Sequence, residues 1–139
     1  MMFELSEESL FNVMDATHIM HTASKGHITL TKILIKNGAN VNTKISNGFT
    51  ALMFAAANGH SQIVQLLIDN GADFNVADCD DNTALHWAAA RNHIATVETL
   101  IKNKVYLIPK NNYDQTPLSV ASFKNNQEIV DLLKSNQAW

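Results

Sequence analysis

At 139 residues, 46% hydrophobic and 17% charged, the chain has the size of one domain with a single continuous core, and its composition excludes disorder and a coiled coil. A formal net charge of -3 leaves no basic footprint for nucleic acid or an anionic membrane, so neither is expected as a partner. Cys79 is the sole cysteine, which rules out an intramolecular disulfide and a Cys-rich zinc motif and fits a reducing compartment.

The chain opens on Met1 to Glu8, which lacks the basic and apolar regions of a secretory signal. No later stretch reaches the roughly eighteen apolar residues that span a bilayer. A soluble, cytoplasmic protein is expected, and an exported microbial effector would share these features. Leu5 to Leu10 predicts a helix start, with Ser6 as N-cap, Glu7 and Glu8 near the positive end of the dipole, and Leu5 against Leu10 as a staple. Residues 1–15 are read as an N-terminal cap.

From there Thr17, Thr50, Thr83 and Thr116 follow at 33-residue spacing, each opening a similar phrase. The clearest copies are Thr50-Ala51-Leu52-Met53-Phe54-Ala55-Ala56 and Thr83-Ala84-Leu85-His86-Trp87-Ala88-Ala89. Leu52, Ala55 and Ala56 fall on one face of a short helix, and Asn58-Gly59-His60 interrupts it. Ile63 to Ile68 predicts a second helix that stops at Asn70-Gly71, where glycine can take the left-handed conformation. An extended Ala72 to Asn75 and a polar tip, Asp78 to Asn82, lead back to the next threonine as a hairpin-like finger. Helices this short are marginal alone, so the units must stack and bury their apolar faces on each other. The small pairs Ala55-Ala56 and Ala88-Ala89 suit that close approach.

A period of this length with a Thr-Ala-Leu-His phrase resembles the ankyrin repeat. The resemblance implies an all-α solenoid of stacked helix-turn-helix units joined by fingers, in one domain, 1–139. The units run from about 16–48, 49–81, 82–114 and 115–139, the last, with its helix from Gln127 to Lys134, serving as C-terminal cap. Four repeats and their caps are expected to fill the sequence, with no room for an appended catalytic domain. Some positions depart from the pattern: Lys104 replaces the helix-ending glycine seen as Gly38 and Gly71, with Asn103 as an alternative, and Ile108 replaces the asparagine seen as Asn42 and Asn75. With Pro109 following, the link between the third and fourth units is expected to be the least regular.

Six histidines invite a metal reading. His27, His60 and His93 recur at one phase of the repeat, the pattern of a structural turn residue; the resemblance gives His86 a hydrogen bond between repeats; and His18 with His21 lacks a third ligand. Asp78, Asp80 and Asp81 are read as a solvated tip without a calcium loop. No nucleophile elbow, phosphate-binding glycine loop or acid pair is present, so neither catalysis, a metal nor a cofactor is expected.

What the resemblance implies instead is a protein partner held on the concave side by fingertips and first helices. The positions are Phe49, Asn58, Asp80, Asn82, Trp87, Arg91, Tyr113, Gln115, Phe123 and Lys124. Aromatic residues and arginine dominate binding energy at interfaces. Phe54 and Trp87 share a helix position where large residues commonly close the inner side of the stack, and for Trp87 the sequence leaves core and contact equally open. A capped stack has no need of self-association, so a monomer is expected. Alternatives are an inhibitor subunit like the four-repeat kinase inhibitors and a microbial effector docking on a host protein. Asn42 and Asn75 also resemble the asparagines hydroxylated in some ankyrin domains.

Overall fold

The computed structural model describes residues 17–137. The expected cap helix, with Ser6 and the Leu5/Leu10 staple, lies outside the described residues. Residues 17–25 are helical (α1), followed by α2 (Ile28–Lys36), α3 (Ala51–Ala57), α4 (Ser61–Asp69), α5 (Ala84–Ala90), α6 (Ile94–Lys102), α7 (Pro117–Phe123) and α8 (Gln127–Asn136). Among the described residues there is no strand, and Ala77 and Thr83 form an isolated antiparallel bridge at the base of a finger.

Threonine starts three of these helices. Thr50, Thr83 and Thr116 accept hydrogen bonds through Oγ1 from the backbone of Met53, His86 and Ser119, satisfying an otherwise orphaned donor of the first turn. Pro117 adds its preset φ at the first position of α7. Thr17 differs, being itself helical.

These seven-residue helices are held by packing. First helices α3, α5 and α7 stand side by side, and second helices α2, α4, α6 and α8 form a parallel row behind them. Ala55, Ala56, Ala88 and Ala89 are all 0% exposed, which lets neighbouring first helices approach closely. Leu52, Ile63, Leu67, Leu85, Leu100, Ile129 and Leu133 fill the space between the rows.

Two of the recurring histidines, His60 and His93, join one unit to the one before. His60 Nε2 lies 3.0 Å from Ser24 O, and His93 Nε2 lies 2.9 Å from Ala57 O. In the last unit Asn126 Nδ2 donates to Ala89 O at 2.8 Å instead. Asn42 and Asn75 do similar work between loops. Asn42 Nδ2 donates to Gly71 O and its Oδ1 accepts from Asp73 N, while Asn75 Oδ1 accepts from Tyr106 N.

Two details of the third unit depart from expectation. Lys104 itself adopts a left-handed φ of 62°, beside Gly38 at 94° and Gly71 at 90°, whereas Asn103 ends α6 at φ -86°. The third-to-fourth finger is also as regular as the others. Ile45, Asp78 and Asn111 each donate their N–H four residues ahead, to Phe49, Asn82 and Gln115. A second bond closes each turn, from Gly48, Asp81 and Asp114. The break in pattern is confined to Ile108, an exposed side chain that cannot make the asparagine link.

Thr96 is a polar residue at the phase of Ile63 and Ile129, 0% exposed, and its hydroxyl has no hydrogen-bond partner among the described residues. A buried hydroxyl without a partner carries an uncompensated desolvation cost. Thr96→Val is therefore expected to stabilise the fold by about 1 kcal/mol. A denaturation midpoint at or below the parent's would contradict this.

Candidate interaction cleft between fingers and first helices

The fingers are tied into a stiff row by backbone bonds. Cys79 N–H donates to Asn47 O at 3.0 Å, and Asn112 N–H donates to Asp80 O at 2.9 Å. Asn112 Nδ2 adds a bond to Cys79 O at 3.2 Å. Side chains presented from these tips are therefore held at little further ordering cost.

Asp78, read above as part of a solvated tip, is 5% exposed. Its Oδ1 accepts the N–H groups of Asp80 and Asn82, and its Oδ2 accepts Trp87 Nε1–H at 3.0 Å. The carboxylate satisfies the turn and anchors the indole together. Asp80 and Asp81 remain exposed, as expected of a tip.

This bond explains the double character of Trp87. Its polar end is held inside, while the half-buried ring meets Phe49 edge-on at 5.1 Å between centroids. Phe49 in turn lies 5.0 Å from Phe54, and the Arg91 guanidinium sits 5.7 Å above the Trp87 ring, within cation–π range. Phe49, Phe54 and Trp87 thus form an aromatic cluster, with Arg91 on its outer side.

Next to that cluster is a cleft of about 240 Å³. Asn82, Asn111, Tyr113 and Gln115 line it from the fingers, and His86, Trp87, Ala90, Val120, Phe123 and Lys124 from α5, α7 and the residue after α7. Tyr113 is 70% and Phe123 80% exposed, so neither is required by the core. The volume suits a side chain or two rather than a drug-sized ligand, whose sites begin near 300 Å³.

His86 forms the back of the cleft. Its Nδ1 accepts Thr83 N–H at 3.1 Å, so the proton is on Nε2, which donates to Gln115 O at 2.8 Å. Burial pushes its pKa below the usual histidine value, partly countered by the bond to Gln115 and by the charge of Asp78. The ring is neutral and structural, joining α5 to the finger Asn111–Gln115 that leads into the last unit.

Of the residues expected to face a partner, the cleft unites Asn82, Trp87, Tyr113, Gln115, Phe123 and Lys124. Phe49 and Arg91 join it through Trp87. Asp80 stands exposed on the neighbouring fingertip. Asn58 is elsewhere, its Nδ2 bonded to Phe54 O and Ser24 Oγ at the end of α3. Asn111 and Val120 were passed over in the sequence. The signal for Asn111 was its place 33 residues after Asp78, where a turn-forming polar residue is needed.

A family model described as ankyrin repeats (3 copies) matches residues 3–78 and again 70–138. The chain belongs to the ankyrin-repeat family. No curated protein matches it. Ankyrin repeats are in general protein–protein interaction modules, typically without enzymatic activity, and the all-helical stack agrees with that family's architecture. Among the described residues no helix is long and apolar enough to cross a membrane. None of their His, Cys, Asp or Glu side chains gather in threes to hold a metal.

Proposed function

We propose that this ankyrin-repeat chain acts by non-covalent binding of a protein partner at the cleft between the Asp78–Asn82 and Asn111–Gln115 fingers and the first helices α5 and α7, with Tyr113 and Phe123 as its anchors. The observation that carries this reading is the exposure of those two rings, 70% and 80%, on a scaffold that has no folding use for them. Large aromatics presented rigidly are the side chains that contribute most to binding energy. Trp87 supplies the cleft's inner wall, Lys124 its charged edge, and Arg91 extends the surface toward Phe49. On this reading the chain works as one monomeric module of four units with the bounds given above, and its action is surface complementarity.

Tyr113→Ala and Phe123→Ala are each expected to weaken the complex by about 1–2 kcal/mol, roughly tenfold in affinity, with an unchanged melting temperature. Partner capture from the native cell, followed by titration of parent and double variant, measures this. Equal affinity for the two proteins would remove both residues from the site.

A further inference from the structure

The hydrogen-bond logic at the finger side of the cleft specifies what it can receive. Asn111 is 7% exposed, and its Oδ1 accepts the backbone N–H groups of Tyr113 and Gln115, each at 2.9 Å. A backbone N–H can only donate, so that atom is the oxygen and its twin is the amino group. Asn111 Nδ2 places its two hydrogens on Asn82 Oδ1 and Gln115 Oε1, both at 2.9 Å. Each of those amides thus has its oxygen turned toward Asn111. Asn82 Nδ2 and Gln115 Nε2 are left without a hydrogen bond among the described residues, and both side chains line the cleft.

Asp78 shows that this arrangement is a property of the asparagine and not of the turn. At the same phase, 33 residues earlier, the carboxylate makes the same two backbone bonds but can donate nothing. Asn111 alone of the two can orient neighbouring amides.

The charges agree with the donors. Lys124 is the one charged side chain lining the cleft, no Asp or Glu lines it, and the neutral His86 has its single hydrogen on Gln115 O. The Asp78 carboxylate behind Trp87 and His86 is taken up by the N–H groups of Asp80, Asn82 and the Trp87 indole. The two amino groups and the ammonium at the cleft surface therefore complement an anionic acceptor, beside apolar rings that complement an apolar side chain. We propose that the cleft takes an acidic side chain of a partner polypeptide, with the apolar residue next to it lying against Tyr113 and Phe123. This rests on the protein-binding reading above and deepens it.

The test uses pools of peptides, acetylated and amidated at their ends, randomised around a Phe-Glu, Phe-Gln or Phe-Lys core, and passed over the immobilised full chain. A fourth pool has the Phe-Gln core and a free terminal carboxylate. Retention of the Phe-Glu pool should exceed that of the Phe-Gln pool roughly tenfold, since bonds to a charged acceptor are about twice as strong as neutral ones. Asn111→Asp, which keeps the turn as Asp78 does, should abolish that preference at an unchanged melting temperature. Gln115→Met, which adds no charge, should reduce it. Equal retention of the Glu and Gln pools, no retention of any pool, preference for the free-carboxylate pool, or selectivity that survives in folded Asn111→Asp would each overturn the assignment. If a neutral or basic pool is retained and released by the Tyr113/Phe123 double variant, the acidic assignment falls while protein binding at the cleft stands. Retention of every pool unchanged in that double variant sinks both.

Discussion

Replacing His86 with leucine is expected to lower stability by about 3 kcal/mol, although leucine is apolar and of similar size. The residue is 2% exposed, so no solvent can replace what the ring provides. Thr83 N–H loses its acceptor on Nδ1, and Gln115 O loses its donor on Nε2. Thr83 N–H is then unpaired in the interior at a cost of about 1–3 kcal/mol, while Gln115 O keeps the Asn111 N–H at 3.0 Å and loses only its second bond, worth about 1 kcal/mol. One bond lies within the α5 capping turn and the other crosses to the next finger, so the loss should appear as a lower urea midpoint with an unchanged slope. A change below about 1 kcal/mol would mean that Thr83 N–H finds another acceptor. The pH dependence has a definite sign. Burial holds the folded pKa below the ordinary 6.5, so below that value the unfolded chain binds a proton that the folded chain refuses. His86 therefore contributes in full above 6.5, and its contribution is lost as pH falls from there toward the depressed folded value. The stability gap between parent and His86→Leu should shrink across that window, and a gap that widens on acidification would refute the neutral assignment.

How far such roles could be read beforehand depends on where the partner of each residue lies. The threonine phase, the alanine pairs and the apolar faces are visible in one unit, because a cap or helix face is set by residues three and four apart. Asp78 is different. Its burial comes from Trp87 of the following helix, so beside Asp80 and Asp81 it reads as one more solvated acid. Asn111 is hidden in the same way, its role depending on Asn82 in the preceding finger as well as on its own turn. Lys104 shows a further gap between propensity and structure. A left-handed lysine is disfavoured locally, yet the loop geometry set by its neighbours, with Val105 N–H bonded to Leu100 O, keeps the conformation used by Gly38 and Gly71. Tyr113 and Phe123 stood out for the opposite reason: the stack needs no large side chain at either position, and both proved largely exposed.

Gly59→Ala is expected to cost about 2–3 kcal/mol, through a neighbour in the next unit. Gly59 has φ +76°, where a residue with a Cβ is disfavoured by about 1–2 kcal/mol. The added Cβ would also stand 2.5 Å from His93 Nδ1 and 2.9 Å from Cγ. The ring cannot withdraw without losing its bond to Ala57 O, worth about 1 kcal/mol. Gly26 meets His60 in the same way, at 2.8 Å. The next junction solves the problem differently: Asn92 takes φ 59° with a Cβ, and the residue that reaches back is the shorter Asn126, bonded to Ala89 O. Glycine where the next unit reaches back with a histidine, and asparagine where it reaches back with an asparagine, are thus alternative fillings of one space. Adding His93→Asn to Gly59→Ala should recover about 1 kcal/mol of the loss, because the shorter amide makes room while the left-handed strain remains. Strictly additive single and double variants would show that the glycine is required by its backbone angle alone, and that the unit-to-unit contact through His93 plays no part.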